Sequence, residues 1–136
     1  MAPHAKFITL VDLSDELLPT LKKKIGKFNF YKTKGDELLG INSNSIDFIF
    51  SMDSLVRVPN LNYLRNYFSE FKRILTPQGE ILIHLPCNQI SGCRMRGFTR
   101  LSLAEIKEIC HINDFIIKDL NMKILEHGIL LSASKS

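Results

Sequence analysis

The chain has no long run of apolar residues, and this absence excludes several classes of protein. None of its hydrophobic segments approaches the ~20 residues that a helix needs to cross a bilayer. The apolar segment near the N-terminus, residues 7–13, is short and leads directly into acidic residues, unlike a secretory signal. The sequence therefore predicts neither a membrane span nor export.

Cysteine is scarce, with three residues at positions 87, 93 and 110. An odd number of thiols without a secretory signal indicates reduced cysteines in a cytoplasmic protein rather than a disulfide framework. Cys87 and Cys93 have no second cysteine pair to complete the usual spacing of zinc ligands. We therefore predict no metal centre.

Charge of one sign is not concentrated anywhere in the chain. The chain has 18 Lys and Arg residues and 14 Asp and Glu residues, which gives a net charge of +4. The cluster at residues 22–24 predicts the solvated C-terminal end of a helix, and a second cluster comprises Arg94, Arg96 and Arg100. A nucleic-acid interface normally has a denser basic stripe with interleaved aromatic residues, so nucleic acid is disfavoured as a partner.

Short apolar segments alternate with amphipathic ones along the chain. The apolar runs predict strands at residues 7–11, 28–31, 46–50 and 80–85. Helical spacing predicts helices at residues 14–26, 61–75 and 102–111. Two final strands, residues 115–122 and 128–134, are predicted to form an antiparallel pair. The order predicts one α/β domain over residues 1–136, Rossmann-like and doubly wound, with a mainly parallel sheet.

Specific residues mark the ends of these helices. Ser14 predicts the N-cap of the first helix, with Asp15 and Glu16 in its first turn, where negative charge is favourable. Gly26 predicts its end. Residues 102–105 have the spacing of a capping box, which predicts the start of the last helix.

Polar residues follow the predicted strands, at the edge where open parallel sheets bind ligands. Asp12 follows the first strand and could accept hydrogen bonds from a ribose diol, or could be a capping or solvent-facing residue. Asp36, with Glu37 beside it, follows the second strand and could accept a hydrogen bond from the amine of a purine. The same two residues could instead form an ordinary polar turn.

Two further residues are candidates for acid–base chemistry. Asp53 follows the third strand and could act as a base or face a substrate, or could merely cap the next turn. His84 lies near the C-terminal end of the fourth strand and could face a substrate, although a lone strand histidine is more often a packed or surface residue. The residues alone leave these alternatives open.

The order of the segments resembles that of the class I S-adenosylmethionine (SAM)-dependent methyltransferases. Residues 45–86 have that family's strand, loop, helix, Pro-x-Gly turn and strand: SIDFIFSMDSLVRVPNLNYLRNYFSEFKRILTPQGEILIHLP. The other resembling segments, in the family's order, are FITLVDLSDELL, GDELLGI and FTRLSLAEIKEICHINDFII. The resemblance covers nearly the whole chain.

The resemblance implies that SAM is the cofactor and assigns residues to it. Asp12, with Leu13 beside it, would hold the ribose hydroxyls. Asp36 and Glu37 would lie near the adenine, and Ser51 would lie near the methionine portion.

The resemblance also implies methyl transfer to an oxygen or nitrogen nucleophile of a small molecule, for which a sugar is one suggestion. Positioning of the acceptor would supply most of the rate, with Asp53 or His84 as the base. Two positions depart from the family pattern. Gln78-Gly79 replaces Gly-Gly, and Arg57 stands where many relatives have a histidine, whose role would not be inherited.

The resemblance begins after the family's first strand and glycine-rich loop. That strand lies, in the family, between the strands that match residues 7–11 and 46–50. We therefore expect exposed sheet edges, with lower stability or assembly with a second copy or a partner chain. The alternative to an enzyme is accordingly a truncated, non-catalytic domain that serves as a partner subunit or is inactive.

Overall fold

The computed structural model describes residues 6–52, 54–55, 58–86, 101–121 and 128–136. These residues belong to two compact units, Met1–Ile41 and Asn42–Ser136, and each unit has its own sheet. No helix in the described ranges is long and apolar enough to cross a membrane. Several residues singled out from the sequence lie outside the described residues: Asp53, Arg57, Cys87, Cys93, Arg94, Arg96 and Arg100.

The first unit is a β-α-β unit. Its elements are β1 (Thr9–Asp12), α1 (Leu18–Ile25) and β2 (Asn29–Lys32). The two strands are parallel, with Asp12 opposite Lys32 at their carboxyl ends. This confirms the first two predicted strands. Their observed bounds lie one or two residues closer to the C-terminus than predicted.

Helix α1 begins later than the sequence predicted. Its N-cap is Leu17, which makes no side-chain capping bond, and Pro19 lies in the first turn. Ser14 instead accepts a hydrogen bond from the backbone N–H of Glu16 at 3.2 Å, before the helix. The predicted N-cap was therefore wrong, because proline, which lacks an N–H, suits the first turn and delays the start. The predicted end at Gly26 was confirmed, with φ of 85°.

The second unit contains a four-stranded sheet and two helices. Its elements are β3 (Ile46–Ser51), α2 (Leu61–Ile74), β4 (Leu75–Leu85), α3 (Leu103–Ile112), β5 (Phe115–Asn121) and β6 (Ile129–Lys135). The strand order is β3-β4-β6-β5, with β3 parallel to β4 and the other pairs antiparallel. The predicted C-terminal antiparallel pair was confirmed.

Strand β4 is longer than predicted. It begins at Leu75, directly after α2, rather than at Glu80. Ile46 pairs with Leu75 while Phe48 pairs with Glu80, so the register shifts across the Pro-x-Gly segment. The segment predicted to be a turn is therefore an irregular part of the strand, because it still pairs with β3 at its start.

One face of the four-stranded sheet forms the core. Alternate residues of β4 and β6 are buried and lie opposite one another across the antiparallel pair, as period-2 side chains require. These residues are Ile81, Ile83, Leu85, Ile129, Leu131 and Ala133. From α2, Phe68 is buried and packs edge-to-face on Phe115 of β5, with ring centroids 6.0 Å apart.

The opposite face of this sheet keeps apolar side chains exposed. Phe48 and Phe50 of β3 are 39% and 49% exposed, and Ile116 of β5 is 57% exposed. Within the described residues β3 pairs only with β4, so its other edge has no partner strand. An exposed edge with apolar side chains is a surface on which a further strand can pair.

Candidate cofactor site

Asp12 lies at the carboxyl end of β1 and is exposed. Its Oδ1 atom accepts hydrogen bonds from the backbone N–H of Leu13 at 2.7 Å and of Ser14 at 3.4 Å. Because both bonds use the same oxygen, the backbone orients the carboxylate without engaging Oδ2 in these bonds. An exposed carboxylate held in this way can accept hydrogen bonds from two vicinal hydroxyls.

Leu13 is 60% exposed beside this carboxylate. A large apolar side chain at that position can pack against the flat part of a nucleoside. Its exposure is compatible with the role that the resemblance implies.

The loop after β2 is organised by Glu37. Its Oε2 accepts hydrogen bonds from the Tyr31 hydroxyl at 2.5 Å and from the backbone N–H of Leu39 at 3.0 Å. Its Oε1 accepts a hydrogen bond from the backbone N–H of Lys34 at 2.9 Å. The hydrogen bond from Tyr31, followed by those from the two backbone N–H groups, lowers the pKa of Glu37 to about 2. Glu37 is therefore ionised at neutral pH.

Thr33 completes the bracing of this loop. It is 5% exposed, and its hydroxyl donates to the carbonyl oxygen of Glu37 at 2.7 Å while accepting from the N–H of Gly35 at 3.1 Å. Oε1 of Glu37 also lies 3.3 Å from the Thr33 hydroxyl oxygen. Because the hydroxyl has a single hydrogen, it donates to the nearer carbonyl oxygen. Asp36, half-buried, lies in the middle of this braced loop.

Sequence reasoning missed Tyr31 and Thr33 as parts of this loop. A threonine two residues before a glycine is of the kind that bonds to neighbouring backbone groups, and this was the available signal. Tyr31 had no such signal, because its contact with Glu37 depends on how the loop folds back over the strand.

In the second unit, the structure brings Ser51 and His84 to neighbouring positions. Ser51 is the last residue of β3 and pairs with Ile83, and His84 follows Ile83 in β4. His84 is 3% exposed, in the strand position opposite Leu130 of β6. Both residues therefore lie at the carboxyl end of a parallel strand pair, where the sequence predicted them.

A shallow depression lies at the other end of the same strand pair. It is lined by Asp47, Thr76, Pro77 and Gln78, and Thr76 donates a hydrogen bond to Asp47 at 3.1 Å. Open parallel sheets bind ligands at the carboxyl ends of their strands, whereas this depression lies at the amino end of β3. Within the described ranges, no group of three or more His, Cys, Asp or Glu side chains is arranged to hold a metal ion.

A family model described as a methyltransferase domain matches residues 1–83 of the chain. The chain belongs to that family, the class I SAM-dependent methyltransferases. The match includes β1, β2, β3 and most of β4. It therefore contains the candidate residues Asp12 and Ser51, at the ends of β1 and β3, and Asp36, in the loop after β2. S-adenosyl-L-methionine is the cofactor of this family.

Solved methyltransferase structures have the same fold. One, the 1,6-didemethyltoxoflavin-N1-methyltransferase of Burkholderia thailandensis with bound 1,6-didemethyltoxoflavin and S-adenosylhomocysteine, is 18% identical with a TM-score of 0.71. The alignment covers 94% of the present chain and 60% of the Burkholderia thailandensis chain. The magnesium protoporphyrin IX methyltransferase of Synechocystis, with bound S-adenosylhomocysteine, is 14% identical with a TM-score of 0.75, over 99% and 67% of the two chains.

A SAM-dependent methyltransferase of Methanosarcina mazei is 19% identical with a TM-score of 0.73, over 93% of this chain and 81% of that one. No sequence among the curated proteins matches the present chain significantly. The present chain thus spans 60% of the length of the Burkholderia thailandensis enzyme.

Proposed function

We propose that this methyltransferase domain binds SAM through its first unit and takes part in methyl transfer to an oxygen or nitrogen of a small molecule. The observation that carries the proposal is the position of two acidic residues at one edge of one parallel strand pair. Asp12 ends β1, and Asp36 lies in the braced loop that follows β2. Carboxylates accept hydrogen bonds, and the ribose hydroxyls and the adenine amine of SAM donate them.

The second unit carries the residues that the resemblance assigns to methyl transfer. Ser51 and His84 lie at the carboxyl end of the β3–β4 pair, and Asp53 follows Ser51 in the sequence. We propose Ser51 beside the methionine portion of the cofactor and Asp53 or His84 as the base. The burial of His84 favours a packed role for it, so Asp53 is the preferred base. The name of the Burkholderia thailandensis enzyme specifies transfer to a nitrogen, which supports a nucleophile of this class, and a sugar remains a weaker proposal.

Calorimetric titration with S-adenosylhomocysteine tests cofactor binding. We expect the wild type to bind, and Asp12→Asn to weaken binding by about tenfold, the effect of losing one charge-assisted hydrogen bond. Asp119→Asn is the matched control, because Asp119 is exposed on β5 in the second unit. Wild-type protein that gives no heat at millimolar ligand would overturn the proposal.

The unpartnered edge of β3 favours a second proposal: another chain or a second copy completes this sheet, and the domain alone is inactive. Light scattering after gel filtration tests it. We expect the wild type to associate and Phe50→Lys to reduce association, whereas Ile112→Lys, on the helix α3 and 62% exposed, serves as the control. A monomer that melts cooperatively at high temperature contradicts this proposal.

A cytoplasmic location is also proposed. The thiol of Cys110 is free and buried in α3, and burial raises the pKa of this thiol to about 11. A stable reduced thiol suits a reducing compartment. Cell fractionation tests the location.

A further inference from the structure

Glu37 accepts three hydrogen bonds from β2 and from its own loop. These bonds limit the capacity of its carboxylate to bind a ligand. Its carboxylate accepts from the Tyr31 hydroxyl and from the backbone N–H groups of Lys34 and Leu39. The bonds to Lys34 and Leu39 join the two ends of the segment that contains Asp36. Because its oxygens already accept these bonds, the carboxylate stabilises the conformation of the loop more effectively than it binds a ligand.

The Tyr31 ring also lies against the backbone of Gly40. A β-carbon at Gly40 would overlap Cε2 of the ring and lie 2.7 Å from Cδ2. Tyr31 therefore contacts both Gly40 and, through its hydroxyl, Glu37. The ring connects strand β2 to the loop, so the loop is fixed relative to the strand that leads into it.

We propose that Glu37 is a positioning residue, which together with Tyr31 holds the 33–39 loop so that Asp36 faces the adenine of the cofactor. This inference rests on the proposed binding of SAM. It gives Glu37 a different role from the direct contact with the cofactor that the resemblance implied. The Asp36 carboxylate accepts hydrogen bonds and does not donate them. If it is correctly placed, the protein should therefore bind a ligand whose purine carries an amine more tightly than one whose purine lacks it.

The quantity to measure is the selectivity of the protein for adenine over hypoxanthine in the bound ligand. S-adenosylhomocysteine carries the adenine amine, and S-inosylhomocysteine has a carbonyl oxygen in its place. The ratio of their dissociation constants reports on the contact between Asp36 and the base. A variant that only destabilises the domain changes both constants together and leaves this ratio unchanged.

The experiment compares Glu37→Gln with the wild type by calorimetric titration of both ligands. Gln replaces one acceptor oxygen with an NH₂ group, so in either orientation of the amide one backbone bond is lost, from Lys34 or from Leu39. We expect the wild type to prefer S-adenosylhomocysteine by about tenfold or more, and Glu37→Gln to reduce that preference several-fold. Tyr31→Phe, which keeps the ring and removes the hydroxyl, should reduce it in the same direction. Glu108→Gln, exposed on α3, is the control with the same chemical change.

The outcomes separate this inference from the proposed function. Wild-type protein that binds neither ligand overturns both. Wild-type protein that binds with selectivity retained in Glu37→Gln and Tyr31→Phe overturns the positioning role alone. Equal losses of affinity for both ligands in Glu37→Gln also overturn it, because they indicate a contact with a part that the ligands share. Thermal melting of each variant verifies that it is folded.

Discussion

Gly128 packs directly against the imidazole ring of His84: a β-carbon at position 128 would lie 2.7 Å from Nε2 of that ring. The same β-carbon would overlap the carbonyl oxygen of Leu85. Gly128 also has φ of 84°, in the left-handed region that favours glycine. A residue just before β6 thus forms one wall around the buried histidine of β4.

Replacing Gly128 by alanine should destabilise the domain by more than the ~1–2 kcal/mol of the left-handed backbone alone, because the β-carbon meets backbone and ring atoms. Gly26→Ala is the matched control, since Gly26 has φ of 85° and nothing within 4 Å of its β-carbon. Urea unfolding of both variants measures the difference. Equal losses of free energy of unfolding in the two variants would contradict this prediction, because they would show that the β-carbon at position 128 causes no destabilising clash with His84 and Leu85.

The stability that Glu37 contributes should depend on acidic pH. Its pKa is about 2 in the folded state, against an ordinary value of 4.5, so ionisation favours folding. The contribution is complete above about pH 4.5 and is lost as the pH falls toward 2. The melting temperatures of the wild type and Glu37→Gln should therefore converge as the pH falls through this window. A difference that stays constant would contradict the role of the ionised carboxylate.

Truncating Phe68 should strongly destabilise the second unit. Phe68 is 1% exposed and packs edge-to-face on Phe115, so Phe68→Ala loses about 3–5 kcal/mol of unfolding free energy. Phe50→Ala removes the same atoms from a side chain that is half exposed, and should cost much less. Chemical denaturation measures both. Similar losses would mean that the face bearing Phe50 is covered in solution, as association through β3 would require.

The N-terminus of α3 should depend on the hydroxyl of Ser102. Ser102 Oγ accepts a hydrogen bond from the N–H of Glu105 at 3.1 Å, and Glu105 accepts one from the N–H of Ser102 at 3.1 Å. Ser102→Ala should lose about 0.5–2 kcal/mol of unfolding free energy, whereas Ser102→Thr retains the cap. Thermal unfolding distinguishes the two. A threonine variant as unstable as the alanine variant would exclude capping as the cause.

Local sequence signals predicted most of the elements. Alternation and apolar runs located the strands, and helical spacing located α2 within one residue of its end. The capping box at residues 102–105 was confirmed in full. The errors had two causes. At the start of α1 two local signals competed and Pro19 prevailed over Ser14. At β4 a tertiary contact, the pairing with β3, extended the strand back to Leu75.

The candidate site was predictable only in part. Asp12 and Asp36 could be proposed from the rule that ligands bind at the carboxyl ends of parallel strands. The bonds of Glu37 could not be predicted, because they depend on a loop that folds back onto Tyr31 of the preceding strand. The packing of Gly128 against His84 was equally inaccessible, because the two residues are distant in the sequence.

The sequence by itself determined the family, the α/β order of elements and the acidic residues that follow the first strands. These properties depend on short-range patterns of polarity, turn residues and capping, which act within a few residues of each other. Only the tertiary structure decided that Glu37 braces a loop against Tyr31 and that Gly128 packs against His84. Those properties depend on which distant backbone and side-chain groups come into contact, and no local pattern encodes those contacts.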